Sequence, residues 1–191
     1  RMQDLPSAMP LDPELGGRLM DAAGTPAFAP LMLETAHRLA GVDEVFAYRI
    51  DDTNPPEILA WSSALQADRE RADQYARRFF RTDPANRLRS HTPAGRGFAG
   101  RIAARDINPH DYRAICFERP RFVDKLCYGW RGEDRSLIVS FYRRREGNDG
   151  DAALGALAAV GLSALARAAR PATRDVTPLH ERIETRLATA Y

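Results

Sequence analysis

The stretch that decides the fold is "VDKLCYGWRGEDRSLIVSFYRRREG", residues 123–147. Residues 122–130 and 136–143 follow the two-residue period of β-strands, and apolar side chains fall on both faces of the second segment. The intervening "RGED" is typical of a turn. Two antiparallel strands in a sheet covered on both faces are therefore predicted.

Aromatic rings interleaved with arginine also suggest a second interpretation, a surface that stacks nucleic-acid bases. Such a platform needs arginines around an open aromatic face. Here they stand at the turn and at the exit of the second strand, at Arg131, Arg135 and 143–145. We therefore favour the covered sheet, with Tyr128 and Trp130 facing inward and 143–145 in solvent.

Outside this stretch, the hydrophobic period alternates between values typical of helices and of strands. It predicts helices at 11–23, 27–39, 72–80, 109–117 and 149–169, strands at 45–50, 58–61 and 98–107, and a loop at 85–97. Asp83-Pro84 is expected to end the third helix. Five strands in mostly hairpin connections, with helices between and around them, predict an α+β domain with a central antiparallel sheet flanked by helices.

The composition indicates a single folded domain with unevenly distributed charge. The chain has 191 residues, is 44% hydrophobic and has a net charge of +2. Residues 1–68 hold 4 basic and 11 acidic side chains, 69–105 hold 10 and 3, and 119–145 hold 8 and 3. Either the acidic and basic segments face each other, which we favour, or 69–105 and 119–145 form a nucleic-acid surface.

No pattern in the sequence indicates catalysis, a metal or a cofactor. Cys116 and Cys127 are expected to be buried thiols in a reducing cytoplasm, and Cys116 does not share a helix face with His110. The glycines of "PAGRGFAGR", residues 93–101, match the dinucleotide-loop spacing but lack the preceding parallel strand, so they predict a turn. Without a signal peptide or an apolar run of ~20 residues, a soluble cytoplasmic chain is expected. Because no catalytic pattern is found, we expect that the chain is not an enzyme.

A small-molecule cavity is predicted between the sheet and the 72–80 helix, because aromatic and small residues meet there. The candidate lining residues are Tyr48, Trp61, Tyr75, Phe79, Asp83, Tyr128 and Trp130. The alternative is that these rings simply fill the core. The small residues of the 149–169 helix permit close helix approach, so Gly155, Gly161 and Leu165 are the candidate dimer interface.

Three segments carry a resemblance to the LuxR-type transcription regulators. "QYARRFFRTDPANR" (74–87) resembles the Asp-Pro helix of their sensor domains, and residues 112–147 are similar to the paired strands that follow. "PLHERIETRLATAY" (178–191) resembles the linker helix that precedes their DNA-binding helix-turn-helix. The resemblance implies a GAF/PAS-like sensor at 1–170, a linker at 171–191, a bacterial homodimer, an unknown small-molecule effector, and DNA contact only through a module outside this chain.

One difference concerns the effector. The members of this family that bind acyl-homoserine lactones carry a tyrosine and a tryptophan ahead of the aspartate, where this chain has Gln66 and Glu70. Only Asp83 and the nearby Tyr75 can be carried over. The resemblance therefore argues against an acyl-homoserine lactone.

Overall fold

The computed structural model describes residues 12–65, 69–108, 110–147 and 149–168. The strands are β1 (Glu44–Ile50), β2 (Glu57–Ser63), β3 (Arg96–Ala103), β4 (Asp124–Arg131) and β5 (Ser136–Arg143). The helices are α1 (Pro13–Ala22), α2 (Phe28–Ala40), α3 (Arg69–Gln74), α4 (Pro84–His91), α5 (His110–Arg113) and α6 (Asp151–Ala168). The predicted linker helix at 171–191 lies outside the described residues, as does Gln66.

The five strands form one open antiparallel sheet in the order β2-β1-β5-β4-β3. β4 and β5 pair along their whole lengths, from Asp124 opposite Arg143 to Arg131 opposite Ser136. The predicted α+β class, with about five antiparallel strands and flanking helices, is confirmed.

Alternating side chains send two hydrophobic clusters to opposite faces of the sheet. On one face, which we call the α6 face, Val139 and Phe141 pack with residues of α1, α2 and α6. On the other, the α3–α5 face, Ile138 and Tyr142 pack with residues of α3, α4, α5 and the turns between them. The prediction that helices cover both faces is confirmed.

The predicted loop at 85–97 is wrong, because residues 84–91 form α4. Asp83 caps the first turn of α4 with its side chain, and Pro84 occupies the first turn, where a missing N–H is tolerated. At the other end, Nη1 of Arg131 donates to the carbonyls of Ser90 (2.9 Å) and Thr92 (2.7 Å). A local cap at one end and a tertiary contact at the other therefore stabilise a helix that has no clear apolar stripe.

Two helices turn into wider π-helical turns just where they face the sheet. α3 continues as a π turn at Tyr75–Phe79 and a 3-10 turn at Phe80–Thr82, and α5 continues as a π turn at Ala114–Glu118. π turns inside helices are frequent at functional sites.

Within the described part of the chain, α6 is the one helix long and apolar enough to cross a membrane, with 18 residues and a mean hydropathy of 1.3. Half of it is buried, and it packs on α1, α2, β4 and β5. These are the surroundings of a core helix in a folded domain.

Candidate functional site

Asp83 is the centre of a polar cluster that lies between the α3–α5 face of the sheet and the helices that cover it. Its Oδ1 accepts a hydrogen bond from the backbone N–H of Ala85 (2.8 Å), which fixes the carboxylate at the start of α4. Its Oδ2 accepts from the hydroxyls of Tyr75 (2.5 Å) and Tyr112 (2.9 Å) and from the ammonium of Lys125. This buried carboxylate therefore receives four donors and has no need of solvent.

Two further contacts complete the group. The hydroxyl of Tyr48 lies 2.9 Å from that of Tyr75, and Nζ of Lys125 donates to the hydroxyl of Tyr112 over 3.1 Å. We call Tyr48, Tyr75, Asp83, Tyr112 and Lys125 the Asp83 cluster. Its members come from β1, the first π turn, the cap of α4, α5 and β4, so one polar centre links most elements of this half of the domain.

The charges of Asp83 and Lys125 compensate each other, and neither side chain is exposed. Burial acts to lower the pKa of Lys125, but the Asp83 carboxylate and the neighbouring groups outweigh it and hold this pKa above its ordinary value. Burial, followed by the Asp83 charge, raises the pKa of Tyr75 and Tyr112 well above 10.0. The tyrosines therefore remain neutral hydrogen-bond donors, and Lys125 remains an ammonium.

A small cavity adjoins the cluster. Its volume is about 10 Å³, and it is lined by Glu44, Phe46, Arg71, Ala72, Tyr75, Cys116 and Tyr142. That volume holds about one water molecule. At its wall, the buried guanidinium of Arg71 forms a two-point ion pair with Glu44, with Nη1 2.8 Å from Oε1.

The structure brings only part of the predicted site together. Tyr48, Tyr75 and Asp83 belong to the Asp83 cluster, and Phe79 lies next to it with its ring stacked on that of Tyr112 at 5.5 Å. Trp61 is opposite Phe46 on the edge strand β2 and packs against the same hydrophobic cluster.

The two remaining aromatic candidates lie on the opposite face of the sheet. Tyr128 packs beneath α6, and its hydroxyl donates to the backbone carbonyl of Asp151 over 3.1 Å. Trp130 is 47% exposed, so the prediction that it faces inward is wrong. The period-two alternation correctly groups Trp130 with Tyr128, but the helices do not cover the sheet as far as residue 130.

Sequence reasoning missed Tyr112, Lys125 and the ion pair between Glu44 and Arg71. One signal was present: Lys125 is the only lysine among 28 basic residues. A lysine at an inward-facing strand position needs a buried anion, and Asp83 supplies it.

Some of the cations in the basic segments are engaged in internal ion pairs. Arg71 pairs with Glu44, and Arg89 pairs with Asp52, so residues 69–105 do face the acidic residues 1–68 in part. Arg143 pairs with Asp124 and Asp151, and Arg101 also pairs with Asp151. Fewer cations are therefore left for a nucleic-acid surface than the sequence suggested.

Two of the candidate dimer residues, Gly161 and Leu165, pack against other elements of the same chain. A Cβ at Gly161 would lie 2.8 Å from Cε of Met32 on α2, and Leu165 belongs to the hydrophobic core of the α6 face. Gly155 is half-buried. Gly161 and Leu165 are therefore already occupied by intramolecular packing and do not form a free dimer surface.

Cys116 and His110 do not form a thiol–imidazole pair. Cys116 is buried, whereas the side chain of His110 is 78% exposed. Burial raises the pKa of Cys116 to about 12, which keeps the thiol protonated. The part of the chain that the structure describes also holds no group of three or more side chains able to bind a metal ion.

The fold is similar to those of three proteins of known structure. The ligand-binding domain of VqsR from Pseudomonas aeruginosa matches with a TM-score of 0.57 at 20% identity, covering 81% of this chain and 94% of that one. CepR2 from Burkholderia cenocepacia is described as an N-acylhomoserine lactone dependent LuxR family transcription factor. It matches with a TM-score of 0.59 at 18% identity, covering 83% of this chain and 95% of that one. The GAF domain of the cyanobacteriochrome TePixJ matches with a TM-score of 0.50 at 17% identity, covering 78% of this chain and 94% of that one.

No family model and no curated protein matches the sequence. The three structural similarities therefore establish the fold, which is the one shared by LuxR-type ligand-binding domains and GAF domains.

Proposed function

We propose that this chain is the regulatory sensing domain of a bacterial, cytoplasmic LuxR-type transcription regulator, and that it is not an enzyme. It would bind a small-molecule effector, dimerise, and control a helix-turn-helix that lies outside this chain. The observation that carries the proposal is the Asp83 cluster, a buried polar centre between the sheet and α3–α5 in a fold shared with ligand-binding domains.

The effector would enter at the small cavity beside Tyr75. Ligand pockets commonly measure roughly 300–1,000 Å³, whereas this cavity measures about 10 Å³. Binding therefore requires α3 and its π turn to move away from the sheet. An effector can drive this opening only by binding the open arrangement more tightly than the closed one.

Trp61 supports an effector with a hydrogen-bond acceptor. Its indole N–H is buried and has no hydrogen-bond partner among the described residues. Trp61 is the register partner of Phe46, which lines the cavity. A buried donor without a partner costs free energy, and a ligand acceptor would recover it.

Thermal unfolding of the chain in the presence of a small-molecule panel tests the proposal. A true effector should raise the unfolding temperature of the wild-type chain, because it binds only the folded state. Ala72→Leu, which fills the cavity, should abolish this response. Ala99→Leu, which adds the same side chain at an exposed position of β3, should retain it.

A ligand whose effect survives Ala72→Leu would place the binding site elsewhere. The nucleic-acid alternative is tested separately by the fluorescence anisotropy of labelled duplex and single-stranded DNA and RNA at low salt. We expect no binding by this chain. Binding that weakens steeply with added salt would favour the alternative.

A further inference from the structure

The side chain of Lys125 occupies a site suited to a compact cation. The chain uses arginine at every other basic position, yet a lysine stands at this fully buried one. Arginine spreads its charge over a planar fork, whereas lysine presents a compact ammonium with three donors. The exception therefore identifies a position where an ammonium fits and a guanidinium does not.

The ammonium is surrounded by aromatic rings as well as by its anion. Nζ of Lys125 lies 5.4 Å from the ring centroid of Tyr75 and 5.6 Å from that of Tyr142, and it meets Tyr112 at the hydroxyl, 3.1 Å away, rather than over the ring. Rings within about 6 Å of a cation attract it through their negative faces, and such cages recognise organic ammonium ligands. Asp83 adds a full opposite charge and a hydrogen bond.

We call Tyr75, Tyr112 and Tyr142, the three tyrosines around the ammonium, the cage. Its shape does not depend on Lys125. Phe79 stacks on Tyr112 with ring centroids 5.5 Å apart, and Phe117 packs against Tyr112 in a T-shaped arrangement and against Tyr142 in a tilted one, each with centroids 5.7 Å apart. The cage rings come from a π turn, α5 and β5, while Lys125 belongs to β4. Supporting contacts of this kind hold a binding site in its productive geometry.

We propose that the Asp83 cluster is a binding site for a primary alkylammonium group, and that Lys125 fills it as a ligand tethered to β4. The tether gives the ammonium a high effective concentration, so a free amine does not displace it from the wild-type chain. The cluster is consequently closed without any effector. This inference goes beyond the proposed function, since it holds whether or not an effector enters the neighbouring cavity.

The test is chemical rescue. Lys125→Ala removes the Cγ, Cδ, Cε and Nζ atoms, which are the atoms that n-propylammonium supplies. The variant leaves Asp83 buried without its cation, so its unfolding temperature should fall. n-Propylammonium chloride should raise this temperature in a saturable manner, while n-propanol and sodium chloride at equal concentration should not.

If Lys125→Ala is already unfolded in buffer, the same titration is followed by circular dichroism, and folding itself becomes the readout. The wild-type chain and Lys125→Met, whose apolar side chain occupies the cage, should not respond to n-propylammonium. The double variant Asp83→Asn/Lys125→Ala, which lacks the anion, should not respond either.

Three results would overturn the proposal: no effect of n-propylammonium on Lys125→Ala, an equal effect of n-propanol, or an equal effect on the wild type or Lys125→Met. The effector screen described above uses the wild-type chain and Ala72→Leu. Its failure would leave the rescue result intact, so the two ideas can fail separately.

Discussion

Arg143 on β5 and Asp151 in the first turn of α6 form a buried ion pair, with Nη1 2.8 Å from Oδ1 and each side chain 2% exposed. The same guanidinium donates to both carboxylate oxygens of Asp124 on β4, over 2.9 Å and 2.6 Å. One arginine thus ties two strands to the last described helix. The prediction that Arg143 lies in solvent is wrong, because strand alternation turns it beneath α6, while Arg144 and Arg145 are exposed as predicted.

Arg143→Leu should destabilise the domain strongly. Removing one partner of a buried ion pair leaves uncompensated charge, which typically costs about 3–5 kcal/mol. The free energy of unfolding from urea titration measures the loss. Arg144→Leu, at the adjacent exposed position, is the matched control and should change it by less than about 0.5 kcal/mol. Similar values for the two variants would show that the Arg143 pairs contribute little.

The sequence predicted best where a local pattern alone determines structure. The alternation in 136–143 placed β5 at its observed bounds. α4 was missed although Asp83 caps it locally, because Asp83-Pro84 also fits the end of the preceding helix and the support from Arg131 is a tertiary contact that a local pattern does not contain. Three of the five residues of the Asp83 cluster were predicted, and Lys125 and Tyr112 were missed because no local pattern marks their contacts with Asp83, which form only after folding.

Gly161→Leu should destabilise the protomer itself. A Cβ at this position would lie 2.8 Å from Cε and 3.1 Å from Sδ of Met32, which is fully buried. Met32 can yield to one methyl group but not to a leucine side chain, and overpacking of this kind costs about 1–3 kcal/mol. Thermal unfolding checks this, with Ser163→Leu on the exposed side of α6 as the control.

Sedimentation of the same two variants separates protomer packing from dimerisation. We expect Gly161→Leu to lower the unfolding temperature and, at temperatures where it is folded, to sediment in the same oligomeric state as the wild-type chain. A variant that keeps wild-type stability but loses the dimer would return Gly161 to the predicted dimer interface.

The domain should lose stability as the pH rises above about 9. Mainly through burial, the pKa of Cys127 rises from 9.0 to about 11 and that of Cys116 rises from 9.0 to about 12. It also raises the pKa of Tyr48 and Tyr142 well above 10.0. A raised folded-state pKa gives stability that is complete below the unfolded-state value and is lost as the pH rises through the folded-state value.

Urea unfolding midpoints between pH 8 and 11 measure this loss, which should steepen above about pH 10, where unfolded tyrosines ionise. In a Tyr191→Phe background, whose five remaining tyrosines are all buried, tyrosinate absorbance should appear together with unfolding rather than before it. In Cys116→Ala/Cys127→Ala, the onset should move up toward pH 10. Tyrosinate forming in the folded chain would contradict the burial of these hydroxyls.

Lys125 should resist acylation in the native state. Its amine is buried, and its pKa is held above the ordinary value by Asp83 and its neighbours against the effect of burial, so the reactive neutral form is scarce. Arg144→Lys adds an exposed amine to the same molecule as an internal reference. If modification requires the cluster to open, an opening free energy of about 4 kcal/mol would slow the acylation of Lys125 about a thousandfold relative to that reference.

Mass spectrometry of peptides from a timed reaction measures both rates. In urea above the unfolding midpoint the two amines should react alike. Comparable rates under native conditions would show that the Asp83 cluster is open to solvent.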